Sequence, residues 1–247
     1  MKKVLIAGCS HAAGSEIDGF EDSVYNRKKS FGGVFADHMC AESINISLVG
    51  ATNPMIARSI LEWFKLNDVD NSRDILVLIA WTETSRLEIP LVDRMHDYES
   101  SNTAVDWFSS SSNHFLQINQ GWTGQTEEER RTLPFYHRFI AENLLYLEIV
   151  TLNLILQIQY FLKSKDIDFI MCNTMDTFSK NPCLNLYKEL VDKSKYFNFD
   201  KDDEGFYWKY RNLGYKNDKA KYWHHGEEPH NLYAALLIDF YRFHLKS

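Results

Sequence analysis

The sequence is poor in several features that would have set its class at once. Its four cysteines, Cys9, Cys40, Cys172 and Cys183, are scattered, with no Cys-x-x-Cys pair and no metal-ligand spacing. Reduced thiols are expected, with no metal and no cofactor. Glycine (11) and proline (5) are few, so long flexible linkers are excluded. There is no long Lys/Arg run, and 27 basic against 34 acidic residues leave a formal charge of −7. Binding to nucleic acid or to an anionic membrane needs a positive face that releases counterions, so neither partner is expected. Long apolar runs are missing too. The opening run Val4–Ala7 stops at Gly8, well short of a signal-peptide core. The most apolar stretch, Leu144 to Leu162, carries Glu148, Asn153, Gln157 and Gln159, which suits a buried core helix rather than a bilayer span. A soluble, cytoplasmic protein is expected.

What is present is the composition of an ordinary globular domain, 45% hydrophobic and 25% charged over 247 residues. That length supports one sizeable α/β core, read as a single domain over 1–247. Four short apolar runs, Val4–Ala7, Ile44–Val49, Ile75–Ala80 and Ile167–Met171, each end in small or polar residues. Without alternation, such runs suit strands buried on both faces of a parallel sheet. Helical patterns separate them. One covers Ser30–Met39, and another follows Asn53-Pro54, read as an N-cap with proline at the first helical position. A single long helix is predicted from about Tyr136 to Lys165, and a last one from Asn231 to His244. Strand and helix in alternation predict a doubly wound α/β fold. Pro90 to about Leu133 breaks the alternation, being polar yet holding Trp107, Phe108, Phe115 and Trp122. It reads as an insertion after the third strand, either a lid or a surface elaboration.

In an open parallel sheet, ligands bind at the carboxyl ends of the strands. That edge would gather Ser10, Gly50, Asn53, Thr82, Thr84 and Asn173: hydroxyls, amides and backbone N–H groups fit to hold a nucleophile and an oxyanion. A serine hydroxyl needs a base, and the base needs an acid to orient it. In His224-His225-Gly226-Glu227-Glu228-Pro229-His230, Glu227 and His230 stand three apart just ahead of the predicted last helix, and they are the expected pair. Smaller roles are expected of other residues. His11 reads as a solvent-facing turn residue and Cys9 as a small buried one. Glu83, Arg86 and Glu88 form either a charged rim or an internal ion pair. Trp107, Trp122, Trp208 and Trp223 could stack on sugar rings or simply anchor loops.

Taken in order, these blocks resemble the SGNH or GDSL hydrolases. Gly8-Cys9-Ser10 after a strand is similar to the family's Gly-Asp-Ser, Gly50 to its oxyanion-hole glycine, and Glu227-Glu228-Pro229-His230 to its closing Asp-x-x-His. Gly8 to Gly14, Gly50 to Asn53, and Trp81-Thr82 through Arg86 and Glu88 look most like the GDSL-like proteins of tailed-phage genomes. The resemblance implies a flavodoxin-like three-layer sandwich and a serine esterase or deacylase without cofactor. Ser10 would be the nucleophile, His230 the base and Glu227 its orienting acid. The N–H groups of Ser10 and Gly50, with Asn53, Thr82 or Thr84, would hold the oxyanion. It also implies a small acyl ester, such as an O-acetyl group on a carbohydrate, as substrate. The family's Gly-x-Asn-Asp block is replaced by Trp81-Thr82-Glu83-Thr84, which removes one oxyanion donor, a loss worth about 10²–10³ in rate. The alternative is therefore a non-catalytic module of the same fold, binding a glycan or serving as a phage structural or accessory protein.

Overall fold

A computed structural model describes residues 2–67, 69, 72–90, 115–118, 127–175, 178–199 and 201–244. Strands β1 (Lys3–Gly8), β2 (Glu42–Asn45) and β3 (Ile75–Trp81) are followed by the short β4 (Leu87–Pro90) and β5 (Phe115–Ile118), then by β6 (Asp168–Asn173). β1, β2, β3 and β6 form one parallel sheet in the order β2-β1-β3-β6, while β4 and β5 pair antiparallel in a separate two-stranded sheet. The chain leaves β1 for β2 on one side and crosses back to β3 on the other, so the topological switch point lies between the carboxyl ends of β1 and β3.

Unbroken apolar strands mean burial on both faces, and the core divides by residue parity. Leu5, Ala7, Ile75, Val77, Ile79, Trp81, Phe169 and Met171 belong to one cluster, with Val4, Ile6, Leu76, Leu78, Ala80, Ile170 and Cys172 in the other. The first cluster is covered by two helices, Asn53–Leu66 and Leu144–Ser164, and the second by Phe31–His38 and Glu227–His244. The protein is thus a three-layer α/β sandwich with a central parallel sheet. Each fully buried Leu, Ile or Phe contributes about 1.5–3 kcal/mol of hydrophobic stabilisation.

In chain order the helices are α1 (Ser10–Ala13), α2 (Val24–Lys29), α3 (Phe31–His38), α4 (Asn53–Leu66), α5 (Glu127–Tyr136), α6 (Leu144–Ser164), α7 (Asn185–Leu190), α8 (Phe206–Asn212) and α9 (Glu227–His244). Three boundaries differ from the sequence reading. The N-cap of α4 is Thr52, whose hydroxyl accepts from the Met55 N–H at 3.2 Å, so Asn53 already lies inside the helix. The expected single helix over 136–165 is interrupted: a π-helical turn, His137–Ala141, ends the first part, and Asn143 caps α6 by accepting from the Tyr146 N–H. An asparagine side chain offers a helix N–H a local partner, which favours a new start over continuation. Lastly, α9 begins at Glu227, four residues earlier than expected. Two acidic residues and Pro229 suit a first turn, where carboxylates meet the positive end of the helix dipole and a missing N–H is harmless.

By length and composition alone α6 could cross a membrane. Here its buried Leu152, Ile155, Leu156, Ile158 and Leu162 pack in the sheet's core, and its buried polar groups are matched. Glu148 accepts from Ser179, and Gln159 bonds the backbone of Leu190 and Asp192. Of the insertion expected at about 90–133, the described parts are β5 and the start of α5, where Leu116, Ile118, Leu133, Tyr136 and Ala141 form a small cluster of their own. Trp107, Phe108, Trp122 and the Gly121–Gly124 turn lie outside the described residues.

Candidate active site

The turns leaving β1 and β3 build the switch point. Gly8 ends β1, and a Cβ there would stand 2.5 Å from the Ala12 Cβ and 2.9 Å from the Ala80 carbonyl oxygen. Only glycine lets the turn fold back so closely, and Ser10 comes next but one, as the first residue of α1. The N–H groups of Ser10 and His11 have no intrahelical acceptor, and Cys9 supplies no side-chain cap. Cys9 is fully buried, with its Sγ 3.3 Å from the Thr174 hydroxyl, as expected of a small core residue. Gly50, beyond β2, adopts a φ of 75°, a conformation that favours glycine.

Of the expected oxyanion donors, Asn53 is committed elsewhere. Its Oδ1 accepts from the Thr82 N–H at 2.9 Å, while its Nδ2 donates to the Thr82 carbonyl at 3.1 Å and to the Thr151 hydroxyl at 3.3 Å. Both amide hydrogens are used, one in clamping the end of β3 to α4 and the other in tying α4 to α6. The Thr82 hydroxyl, by contrast, is buried and without a hydrogen-bond partner among the described residues, as are Trp81 Nε1 and Asn173 Nδ2 on the paired ends of β3 and β6. Thr84 is half-buried and lines a separate cavity of about 590 Å³ together with Glu83, Glu148 and Trp208. Arg86 bonds Glu83 at 2.7 Å, whereas Glu88 pairs with Arg58.

Glu227 and His230 are not brought together. Because α9 starts at Glu227, both lie in its first turn and address different neighbours. The Glu227 carboxylate is taken on one oxygen by Lys29 at 2.6 Å and on the other by the Tyr25 hydroxyl at 3.1 Å. Lys29 holds its pKa below the usual carboxylate value. His230 is fully enclosed, stacked on Phe31 and tilted against Phe206, and its Nδ1 accepts from the Phe31 N–H at 3.1 Å. That bond puts the ring proton on Nε2 and leaves no nitrogen for an orienting acid and a serine at once. Burial also drives its pKa well below 6.5.

A different carboxylate–imidazole pair joins the turn after α1 to the loop ahead of α9. Glu16, six residues after the serine, is buried, and its Oε2 lies 2.6 Å from Nδ1 of His224. The same carboxylate accepts from the backbone N–H of Lys221 at 2.8 Å and of Tyr222 at 3.0 Å, so it fixes the closing loop as well as the ring. Burial works to raise the Glu16 pKa, but the bonds from His224, Tyr222 and Lys221 outweigh it and the net shift is downward. An ionised Glu16 places the His224 proton on Nδ1 and leaves Nε2 as an acceptor. For His224 itself, burial lowers the pKa against the raising effect of Glu16, so the ring is neutral at pH 7. His224 is in turn 4.9 Å, ring centre to ring centre, from His11, the neighbour of Ser10. His11 is not the solvent-facing residue expected: it is 6% exposed, packed between Tyr207, Phe206 and His224, and its Nδ1 has no partner among the described residues. The opening turn and the closing loop therefore meet, but through Glu16 and His224. The sequence offered one usable clue, a histidine in the right cluster; nothing local pairs it with an acid more than 200 residues away.

No family model and no curated protein matches the sequence. Solved structures do resemble the fold. One is a carbohydrate esterase whose active site displays divergent catalytic and non-catalytic binding functions (13% identity, TM-score 0.43), and another is a family 2 carbohydrate esterase with a carbohydrate-binding domain from Corynascus thermopiles (12%, 0.47). A third is a G-D-S-L family protein from Desulfitobacterium hafniense DCB-2 (12%, 0.38). The alignments cover 97–98% of this chain and 99% of the third protein, but only 64% and 66% of the two esterases, so the chain spans just under two thirds of their length.

Proposed function

We propose that this protein is a serine ester hydrolase in which Ser10 is the nucleophile, His224 the general base and Glu16 the residue that positions the base. The observation that carries this reading is the part-buried 2.6 Å contact between His224 and Glu16, which follows Ser10 by six residues. Ser10 would attack the ester carbonyl as its hydroxyl proton passes to His224 Nε2. The same imidazolium would then return that proton to the leaving alkoxide. Water would be activated by His224 in the second half-reaction and would free the acid from Ser10. The tetrahedral oxyanion would be met by the N–H groups of Ser10 and Gly50 and by the Thr82 hydroxyl, which has no partner among the described residues and so is able to donate. Glu227 and His230 keep structural roles, tying α9 to α2 and to α3.

The substrate class proposed is a small acyl ester, as on an acylated carbohydrate. Labelling by a fluorophosphonate probe tests the nucleophile: wild type should react and Ser10→Ala should not. An inert wild type, with no hydrolysis of p-nitrophenyl acetate, would refute the hydrolase reading. That result would favour the non-catalytic alternative, which draws on the commitment of Asn53's amide and on the missing asparagine in Trp81-Thr82-Glu83-Thr84.

A further inference from the structure

A cavity of about 550 Å³ opens beside His224, and its wall includes Tyr207, Arg211, Lys216, Asp218, Lys221 and Trp223. Two features of that wall are not explained by packing. The Arg211 guanidinium is boxed by aromatic rings, 5.0 Å from the centre of Trp223, 5.5 Å from Tyr207 and 5.9 Å from Trp208. Its hydrogen-bond partner is the Tyr207 hydroxyl, at 2.6 Å. Among the described residues it has no carboxylate partner, although nearby cations do: Lys209 pairs with Glu204, Lys29 with Glu227 and Arg86 with Glu83. Trp223 is the second feature. It is 71% exposed and sits at a φ of 72°, a left-handed conformation that bulky side chains rarely adopt. The loop that forces this conformation is the one pinned on Glu16 through the N–H groups of Lys221 and Tyr222. An indole is thus held out toward solvent immediately before the proposed base.

We infer that this cavity takes a sugar ring bearing a carboxylate, with its ring face on Trp223 and its carboxylate on Arg211. The C–H face of a sugar packs on an aromatic surface, and a guanidinium fork matches a carboxylate in two parallel hydrogen bonds. The charges in the wall agree, with Arg211, Lys216 and Lys221 against the single acid Asp218. The inference rests on the hydrolase reading for its meaning, since it names the acidic carbohydrate whose ester would reach His224. Arg211 and Trp223 would then determine specificity without touching the reacting atoms.

The test is calorimetry on the full-length Ser10→Ala protein, with trigalacturonate as the acidic probe and xylotriose as the neutral one. Trigalacturonate should bind at least tenfold more tightly. Replacing Arg211 by Gln in the same background should weaken trigalacturonate roughly 10- to 100-fold and remove the preference, as expected for loss of a charged hydrogen-bonding partner. Arg211→Lys should restore part of it, and Trp223→Ala should weaken both sugars. Equal affinities for the two sugars, absence of binding by either, or an unchanged preference in the Arg211→Gln protein would each overturn the inference. The measurement needs no turnover. A wild type inert to fluorophosphonate but selective for trigalacturonate would sink the hydrolase reading alone.

Discussion

Glu16→Gln is the sharpest probe of the site, because it keeps the shape of the side chain and changes only what its oxygens can do. In the wild type one buried carboxylate accepts from the His224 Nδ1–H and from two backbone N–H groups. An amide has one oxygen for those three donors. If the oxygen stays with Lys221 and Tyr222, the NH2 group faces Nδ1 and drives the His224 proton to Nε2, the wrong tautomer for a base. The corresponding change in serine proteases lowers kcat by about 10⁴, which is roughly 5 kcal/mol of transition-state stabilisation. The fold should lose less, about 1–3 kcal/mol for the weakened charged hydrogen bonds, or roughly 2–12 °C in Tm for a domain of this size. A second readout separates positioning from simple damage. Glu16 raises the His224 pKa against the lowering effect of burial, so its loss should move the acid limb of the kcat/KM profile to lower pH. Glu227→Gln is the control, since that carboxylate is partly exposed and held by Lys29 and Tyr25, and its rate should change less than about twofold. Hydrolysis of p-nitrophenyl acetate over pH 4–9, with thermal melts, measures all of this. A Glu16→Gln rate within threefold of wild type, or a Glu227→Gln rate that collapses, would refute the assignment.

The same contacts set other expectations. Ser10→Ala should abolish turnover and fluorophosphonate labelling while leaving Tm within a few degrees; a labelled Ser10→Ala protein would mean another nucleophile. His230→Ala should act through stability, by about 2–4 kcal/mol, because it empties a stacked aromatic site and leaves the buried Phe31 N–H without its acceptor; denaturant melts measure it, and an unshifted midpoint would be inconsistent with that role. Asn53→Ala should likewise lower stability, by about 1–3 kcal/mol, through loss of the clamp on Thr82, which a denaturant midpoint reports. Burial lowers the pKa of His11, His224, His225 and His230, so the unfolded chain takes up protons first and stability should fall as pH drops below 6.5. Glu62, pushed up to about 7 by burial, works in the opposite sense, one group against four. Melting temperatures that do not decline between pH 7 and 5 would contradict this balance.

The layer structure was legible because it is written in local pattern. Apolar runs without alternation mean strands covered on both faces, which holds for β1, β3 and β6, whereas the edge strand β2 is exposed to half-buried and takes only Ile44 and Asn45 from the run Ile44–Val49. The tight turn after β1 was legible as well, from a glycine at a strand end, but Ser10 just beyond it is only 5% exposed rather than set out on an open turn. The partner of the histidine was not. Sequence spacing favoured Glu227 with His230 because three residues look like one turn, yet one turn of helix let the two side chains leave in different directions, toward Lys29 and toward Phe31. Asn53 looked available as a donor, and only the packing of β3 against α4 shows that Thr82 has taken its amide.

What the sequence determined by itself is hydrophobic periodicity and turn chemistry, which act between near neighbours and set the α/β sandwich. What the tertiary structure decided is which buried polar groups meet. A buried carboxylate must find hydrogen-bond donors wherever the fold delivers them. For Glu16, those donors come from a loop more than two hundred residues further along the chain.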